Sequence, residues 1–246
     1  MTRIRADQLL LTQGLAPSRS RAEALIRAGL VYAGERRIEK PGDLLPADLP
    51  LSVRGSDCPW VSRGGLKLEH ALRHFGLSPA GRIALDVGAS TGGFTDVLLA
   101  HGAVKVHAVD VGHGQFAWKL RQDPRVVVHE RTNARHLDPR LIPDPIEVLV
   151  ADASFIGLAT LLPAPLALTV PGAFAIALIK PQFEVGKGRV GKGGIVRDPA
   201  LHREVCQRLS AWWRGLPGWE VIGVTESPVL GADGNREFLI AARHTA

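Results

Sequence analysis

Asp86-Val-Gly-Ala-Ser-Thr-Gly-Gly-Phe94 leaves the apolar run Ile83-Ala-Leu85 and reads as a strand that turns sharply into a helix. Glycines at 88, 92 and 93 permit such a turn and let a ligand approach the main chain. A dinucleotide fingerprint would need G-x-G-x-x-G and a phosphate loop would need a following Lys-Ser or Lys-Thr; the stretch has neither. The NAD and ATP readings therefore weaken, and Gly88, Ala89, Ser90, Thr91, Gly92, Gly93 and Phe94 are expected to wrap an adenosine-containing cofactor, with S-adenosyl-L-methionine the candidate. Asp86 is expected beneath its methionine end. Asp110 closes the next apolar run, 22 residues beyond Gly88, where a carboxylate can accept both hydroxyls of a ribose. Asn133, or Thr132 before it, follows the third run where adenine is expected to lie.

Outward from this turn, apolar strands alternate with helical segments, the pattern of an α/β domain with a mostly parallel sheet covered on both faces. Strands are expected at residues 83–87, 104–110, 126–129, 146–151 and 173–179, with a helix around 202–214 before two final strands at 220–226 and 238–242. No helix separates those last two, so they are expected to form a hairpin at a sheet edge. Ala153 to Ile179 carries no charge and is as long as a membrane span. Pro163, Pro165, Pro171 and Gly172 cut it into a loop and helix, a tight turn and a strand, each too short to cross a bilayer.

Open parallel sheets bind ligands at the carboxyl ends of their strands. Asp152 ends the fourth strand and Lys180 the fifth, 28 residues apart, the separation of one strand-helix-strand crossover. Glu237 begins the final strand, and Lys67 lies on the helix entering the domain. These four can converge on one site. Between Glu184 and Arg197 a glycine-rich, basic loop follows Lys180 and is a candidate flap over RNA phosphates.

The 246 residues are 46% hydrophobic, enough for one sizeable core and a small accessory domain. Lys and Arg number 30 against 24 acids, so an acidic polymer is a natural partner. The excess concentrates in residues 1–73. Cys58 and Cys206 have no CxxC spacing, and the acids are not paired at ligand spacing, so neither a disulfide framework nor a metal is expected. With no apolar signal-peptide core near the N-terminus, a reducing cytoplasm is the expected compartment. In residues 3–30, Ala6, Leu9 and Leu10, then Ala22, Leu25 and Ile26, recur at helical spacing, with Ser18 or Ser20 as a cap after Pro17. Short strands are expected to follow up to Arg54.

This N-terminal stretch, R-A-D-Q-L-L and G-L-A-P-S-R-S-R-A-E-A-L-I-R-A-G-L-V-Y-A-G, resembles the alpha-L (S4-like) RNA-binding motif of a ribosomal small-subunit protein, pseudouridine synthases and tyrosyl-tRNA synthetases. It departs at Ala33, where the motif usually has asparagine. Arg3, Arg5, Arg19, Arg21 and Arg27 are its candidate RNA contacts. S-R-G-G-L-K-L, D-V-G-A-S-T-G-G-F, D-A-S-F-I, L-I-K-P-Q-F-E and G-N-R-E-F resemble the TlyA branch of the FtsJ-type ribosomal RNA 2′-O-methyltransferases, and the two likenesses together cover nearly the whole chain.

The resemblance implies a Rossmann-like, seven-stranded S-adenosylmethionine-dependent methyltransferase domain at 64–246, an α+β RNA-binding domain at 1–54 and a linker at 55–63. It also implies a catalytic tetrad of Lys67, Asp152, Lys180 and Glu237, and a cytidine ribose in ribosomal RNA or ribosomal subunits as substrate. A ribose hydroxyl is a poor nucleophile that must lose its proton as it attacks. Lys180 can take that proton, Asp152 can orient the hydroxyl or the lysine, and Lys67 can stabilise the developing charge with Glu237 holding a lysine in place. Two other classes compete: a membrane-active hemolysin, a label some relatives bear, and a non-catalytic ribosome assembly factor. The broken apolar stretch opposes the first and the complete tetrad the second. The sequence carries no signal for oligomeric state.

Overall fold

The computed structural model describes residues 3–16, 18–27, 29–53, 58–186, 188–231 and 234–245. Contacts divide the chain into two units, Met1–Asp57 and Cys58–Ala246. In the first, β1 (Arg3–Arg5) leads into α1 (Ala6–Thr12) and α2 (Arg19–Arg27), followed by β2 (Val31–Ala33), β3 (Arg36–Arg37), β4 (Leu44–Pro46) and β5 (Ser52–Val53). The helical stripes Ala6, Leu9, Leu10 and Ala22, Leu25, Ile26 bury against Val31, Ile38 and Leu45. Ser18 caps α2, its Oγ accepting the Arg21 N–H at 3.2 Å; Pro17 lies outside the described residues. β1 departs from the sequence reading, which begins helical periodicity at residue 3. Arg3–Arg5 instead pairs antiparallel with β4, a partner some forty residues away that local periodicity cannot reveal.

The second unit runs α3 (Gly64–Phe75), β6 (Ile83–Val87), α4 (Gly93–Ala100), β7 (Lys105–Val109), α5 (Trp118–Arg121), β8 (Val126–His129), β9 (Ile146–Ala151), α6 (Leu158–Leu161), α7 (Pro163–Leu166), β10 (Thr169–Ile179), α8 (Pro181–Glu184), α9 (Pro199–Arg214), β11 (Trp219–Glu226) and β12 (Phe238–His244). Seven strands form one sheet in the order β11-β12-β10-β9-β6-β7-β8. β8 through β10 are parallel, and β12 is antiparallel to both β10 and β11. Along β10, Ala175, Ala177 and Ile179 join the core under α9, whereas Phe174, Ile176 and Leu178 join the core under α3 and α4. This two-residue alternation, with both faces buried, explains the nearly unbroken apolar strands.

Two connections differ from expectation. The turn expected at Pro171-Gly172 lies inside β10, where the register against β9 shifts between Thr169 and Phe174. Such an irregularity tolerates a proline with no N–H to give the ladder. Between β8 and β9 the chain makes two 3₁₀ turns, Ala134–His136 and Pro139–Leu141, in place of an α-helix. The Asn133 and Asp138 side chains accept the N–H groups of Arg135 and Arg140, local bonds that compete with helix formation. Among the described residues no helix is long and apolar enough to cross a membrane.

Residues 54–57, which include the first three of the expected linker, lie outside the described residues. Cys58–Arg63 is folded onto the second unit. Trp60 Nε1 donates to Glu69 at 3.1 Å, and the Val61 N–H donates to Asp96 at 2.8 Å. The chain runs from β6 outward through β7 and β8, then crosses back to β9 on the other side of β6. That reversal opens a crevice between the ends of β6 and β9, directly after Val87 and Ala151.

Candidate active site

The glycine turn leaves β6 inside this crevice. Gly88 has φ +80°, and a Cβ there would lie 2.6 Å from the Asp152 carbonyl oxygen, so only glycine lets the two strand ends approach. Asp110, just beyond β7, holds the turn in shape. Its two carboxylate oxygens accept the N–H groups of Ser90 at 2.7 Å and Gly112 at 2.6 Å. Each oxygen keeps a further lone pair for a hydroxyl. Asp86 is fully buried beneath the turn; Thr95 Oγ1 donates to its Oδ2 at 2.7 Å, while Oδ1 has no hydrogen-bond partner among the described residues. Burial, reinforced by the neighbouring Asp152 and Asp110 charges, pushes the Asp86 carboxyl up to about 7.

Two adjoining cavities flank the turn. Gly88, Ser90, Asp110, Asn133 and Asp152 line one of ≈ 420 Å³, together with Thr132. The other, of ≈ 330 Å³, has Lys67, Asp152 and Lys180 in its wall, with Gly88, Ala89, Ser90, Thr91, Gly93 and Phe94 of the turn. Gly88, Ser90, Asp152 and Ser154 belong to both. Three expected site residues line neither cavity. Asp86 lies below the turn, Gly92 backs onto Phe116 and Leu120 of the α5 region, and Glu237 stands behind Lys67.

The four tetrad positions resolve into two ion pairs. Lys67, in the first turn of α3, donates through Nζ to Glu237 Oε2 at 2.6 Å, with side chains only 10% and 2% exposed. Lys180 Nζ lies 2.6 Å from Asp152 Oδ1, an approach too oblique to make a hydrogen bond. Its hydrogen bond goes instead to Ser154 Oγ, at 2.9 Å. Removing two charges from water is expensive, and an apolar pair of the same volume would often be as stable as Lys67–Glu237. A lysine held beside a carboxylate at the wall of a cavity is equipped to exchange protons and to stabilise negative charge.

Sequence reasoning missed three features here. Ser154 sits inside D-A-S-F-I, a motif singled out in the sequence for its aspartate alone. Phe155, next in line, is 90% exposed with φ +66°, an uncommon conformation for an aromatic residue, and packs on Phe183. Glu184, at the end of α8, accepts the Leu158 N–H at 2.8 Å and pairs with Arg208 at 3.1 Å. Burial pushes its carboxyl above the usual range. The loop that follows is tethered to the segment just before β12 that carries Glu237: Asn235 accepts the Val196 N–H and donates to the Gly194 carbonyl, both at 3.0 Å.

In the N-terminal unit, candidate RNA-contact arginines pair with acids of the same unit. Arg5 and Arg19 both grip the buried carboxylate of Asp7, at 2.8 and 2.9 Å. The Arg5 hydrogen bond, aided by Arg19, pulls the Asp7 carboxyl down to about 2. Arg27 pairs with Glu23 one helical turn away at 3.2 Å, and Arg3 is exposed at the start of β1.

Residues 60–244 match the FtsJ-like methyltransferase family, and residues 4–48 match the S4 domain. Over 242 residues the chain is 48% identical to the 16S/23S rRNA (cytidine-2′-O)-methyltransferase TlyA of Mycobacterium tuberculosis, a match covering 98% of this chain and 90% of that one. It is 40% identical to Hemolysin A of Brachyspira hyodysenteriae over 96% of this chain and 98% of that one. A solved structure from Streptococcus thermophilus, provisionally described as a hemolysin, is 42% identical and superposes with a TM-score of 0.77, covering 100% of this chain and 90% of that one. An O-methyltransferase from Bacillus cereus, solved with SAH, shares the fold at a TM-score of 0.52 and 17% identity over 76% of this chain and 84% of that one. The chain thus belongs to the FtsJ-like methyltransferase family, with an S4 domain ahead of the catalytic fold.

Proposed function

We propose that the chain transfers a methyl group from S-adenosylmethionine to the 2′-hydroxyl of a cytidine ribose in ribosomal RNA, within ribosomal subunits in the cytoplasm. The observation that supports this most is the meeting of Lys67, Asp152 and Lys180 in one cavity that shares Gly88 and Asp152 with its neighbour under the glycine turn. A donor in one cavity and an acceptor in the other would meet at that shared wall.

The residues present fit the cofactor. Asp110 ends β7 with lone pairs to spare, Gly88 leaves the main chain bare, and Asp86 keeps an unpartnered carboxylate oxygen below the turn. Asn133 stands across the same cavity, where it can meet adenine. When bound, S-adenosylmethionine supplies a methyl group made electrophilic by its positively charged sulfur. Lys180, arriving in its neutral form, takes the proton of the ribose hydroxyl as that oxygen attacks. Asp152 holds the lysine nearby by charge, and Lys67 stabilises the charge that gathers on the oxygen, itself held by Glu237. The S4 domain supplies a second hold on the RNA, which Arg3 can share.

Incubation of the protein with ribosomal subunits and methyl-labelled S-adenosylmethionine tests this reading. The wild type is expected to label RNA at a cytidine 2′-O, and Lys180→Ala is expected to lose about 10²- to 10⁴-fold in rate, the usual contribution of a positioned base. Label absent from RNA, or a Lys180→Ala variant as fast as the wild type, would overturn it.

A further inference from the structure

Asp152 attracts Lys180 by charge, yet its oxygen at 2.6 Å is badly angled and forms no hydrogen bond among the described residues. Direction comes from Ser154, whose Oγ accepts the Nζ–H at 2.9 Å. Ser154 is exposed, and of the residues flanking Lys180 it is one of the few in the wall of both cavities. Its oxygen therefore sits where donor and acceptor substrates would meet.

The loop bearing Ser154 is also fixed relative to Lys180. Immediately after the lysine comes α8, and Glu184 at the end of that helix accepts the Leu158 N–H at the far end of the loop. Arg208 of α9 bonds both the Glu184 main-chain oxygen, at 2.7 Å, and its carboxylate, at 3.1 Å. A Cβ on Gly157 would lie 3.4 Å from the same carboxylate, so the loop packs closely on its anchor. Residues 153–158 and 180–184 consequently form one clamped frame.

We infer that Ser154 is a positioning residue for methyl transfer, its hydroxyl fixing the rotation of the Lys180 amine. The inference rests on the reading of Lys180 as the proton acceptor. A neutral amine has two N–H bonds and one lone pair. With one N–H on Ser154 Oγ and the other facing Asp152, valence leaves the lone pair for the incoming hydroxyl. The proton then leaves the 2′-oxygen for Nζ, the oxygen's electron pair forms the new O–CH₃ bond, and the electrons of the broken C–S bond remain on sulfur as a neutral thioether. The ammonium so formed later gives its proton to water. Without Ser154 the amine rotates freely about its last bond, and misorientation of this kind costs up to about a hundredfold in rate.

The test compares Ser154→Ala, Ser154→Thr and Lys180→Ala in the full chain, with ribosomal subunits and labelled S-adenosylmethionine. Single-turnover rate, subunit affinity and calorimetric S-adenosylmethionine affinity are measured for each. Ser154→Ala is expected to lower the maximal rate about 10- to 100-fold with both affinities within about twofold of wild type, and Ser154→Thr, which keeps the hydroxyl, to recover most of that loss. Three outcomes would overturn the inference: a wild-type rate in Ser154→Ala, a Ser154→Thr no faster than Ser154→Ala, or a Ser154→Ala defect that lies in either affinity. If Lys180→Ala itself transfers methyl at the wild-type rate, the proton-acceptor reading fails instead, and the two failures are thereby told apart.

Discussion

Lys67 and Glu237, 170 residues apart in the chain, meet as a buried ion pair 2.6 Å long. One comes from the helix that enters the domain and the other from the residue before its last strand, so the pair joins the two ends of the catalytic fold. Removal of one partner leaves a charge stranded out of water and is expected to cost about 3–5 kcal/mol. Glu237→Ala should therefore lower stability by that amount. The double variant Lys67→Met/Glu237→Leu should regain most of it while methyl transfer stays lost. Urea denaturation and transfer assays on the three proteins decide this. A double variant no more stable than Glu237→Ala would show that the pair is held by something other than mutual neutralisation.

Asp86 sets an expected pH dependence of stability. Its folded-state value of about 7 lies above the ordinary carboxyl value of 3.8, chiefly because burial disfavours the charge. Between roughly pH 4 and 7 the native chain holds a proton that the unfolded chain has released, so stability falls as pH rises through that window. The loss is complete above about 7 and amounts at most to something on the order of 4 kcal/mol. Asp86→Asn, which can still accept from Thr95, should flatten this slope and be stabilising at pH 8 relative to pH 5. Equal pH slopes for wild type and variant in urea denaturation would refute it.

The sheet was legible where short apolar runs are bounded by turn residues. Ile83–Val87, Val126–His129 and Ile146–Ala151 occupy the residues that their apolar runs mark out, and Asp152 and Lys180 follow directly after their strands. What escaped the sequence depends on distant partners. β1 is a strand only because β4 lies beside it, and Arg5 and Arg19 read simply as RNA-contact candidates until Asp7 is seen buried between them. Ser154 gives no periodic signal at all, since its importance lies in a bond to a residue 26 positions later. The antiparallel insertion of β12 beside β10 placed Glu237 near α3, a relationship that the hairpin pattern alone did not specify.

The arginines of the N-terminal unit divide by partner, and their variants should divide likewise. Arg19 grips buried Asp7, whose carboxyl is drawn down to about 2 first by Arg5 and then by Arg19. This contribution is full above about pH 4 and is lost as pH falls toward 2. Arg19→Ala should speed amide exchange across Ala6–Thr12 by about tenfold at neutral pH as well as weakening subunit binding. Arg3→Ala, at an exposed site, should leave exchange unchanged and reduce the salt slope of RNA binding by about one, the signature of a lost phosphate contact. Unaltered exchange in Arg19→Ala would contradict the anchoring role.

Gly88 offers the sharpest separation of backbone conformation from close approach. Gly76 and Gly88 both have positive φ, at +63° and +80°, but an added Cβ meets nothing within 4 Å at Gly76 and lies 2.6 Å from the Asp152 carbonyl oxygen at Gly88. Gly76→Ala should therefore cost only the conformational penalty, about 1–2 kcal/mol, with methyl transfer retained. Gly88→Ala incurs a similar penalty and must also push Asp152 away from β6, because main-chain atoms cannot rotate aside as a side chain can. Since Asp152 pairs with Lys180 and borders both cavities, that displacement should lower S-adenosylmethionine affinity at least about tenfold and transfer by more. Calorimetry and transfer assays on the two variants provide the comparison. Equal behaviour would mean that positive φ alone, and not the nearness of β6 to β9, demands glycine in this turn.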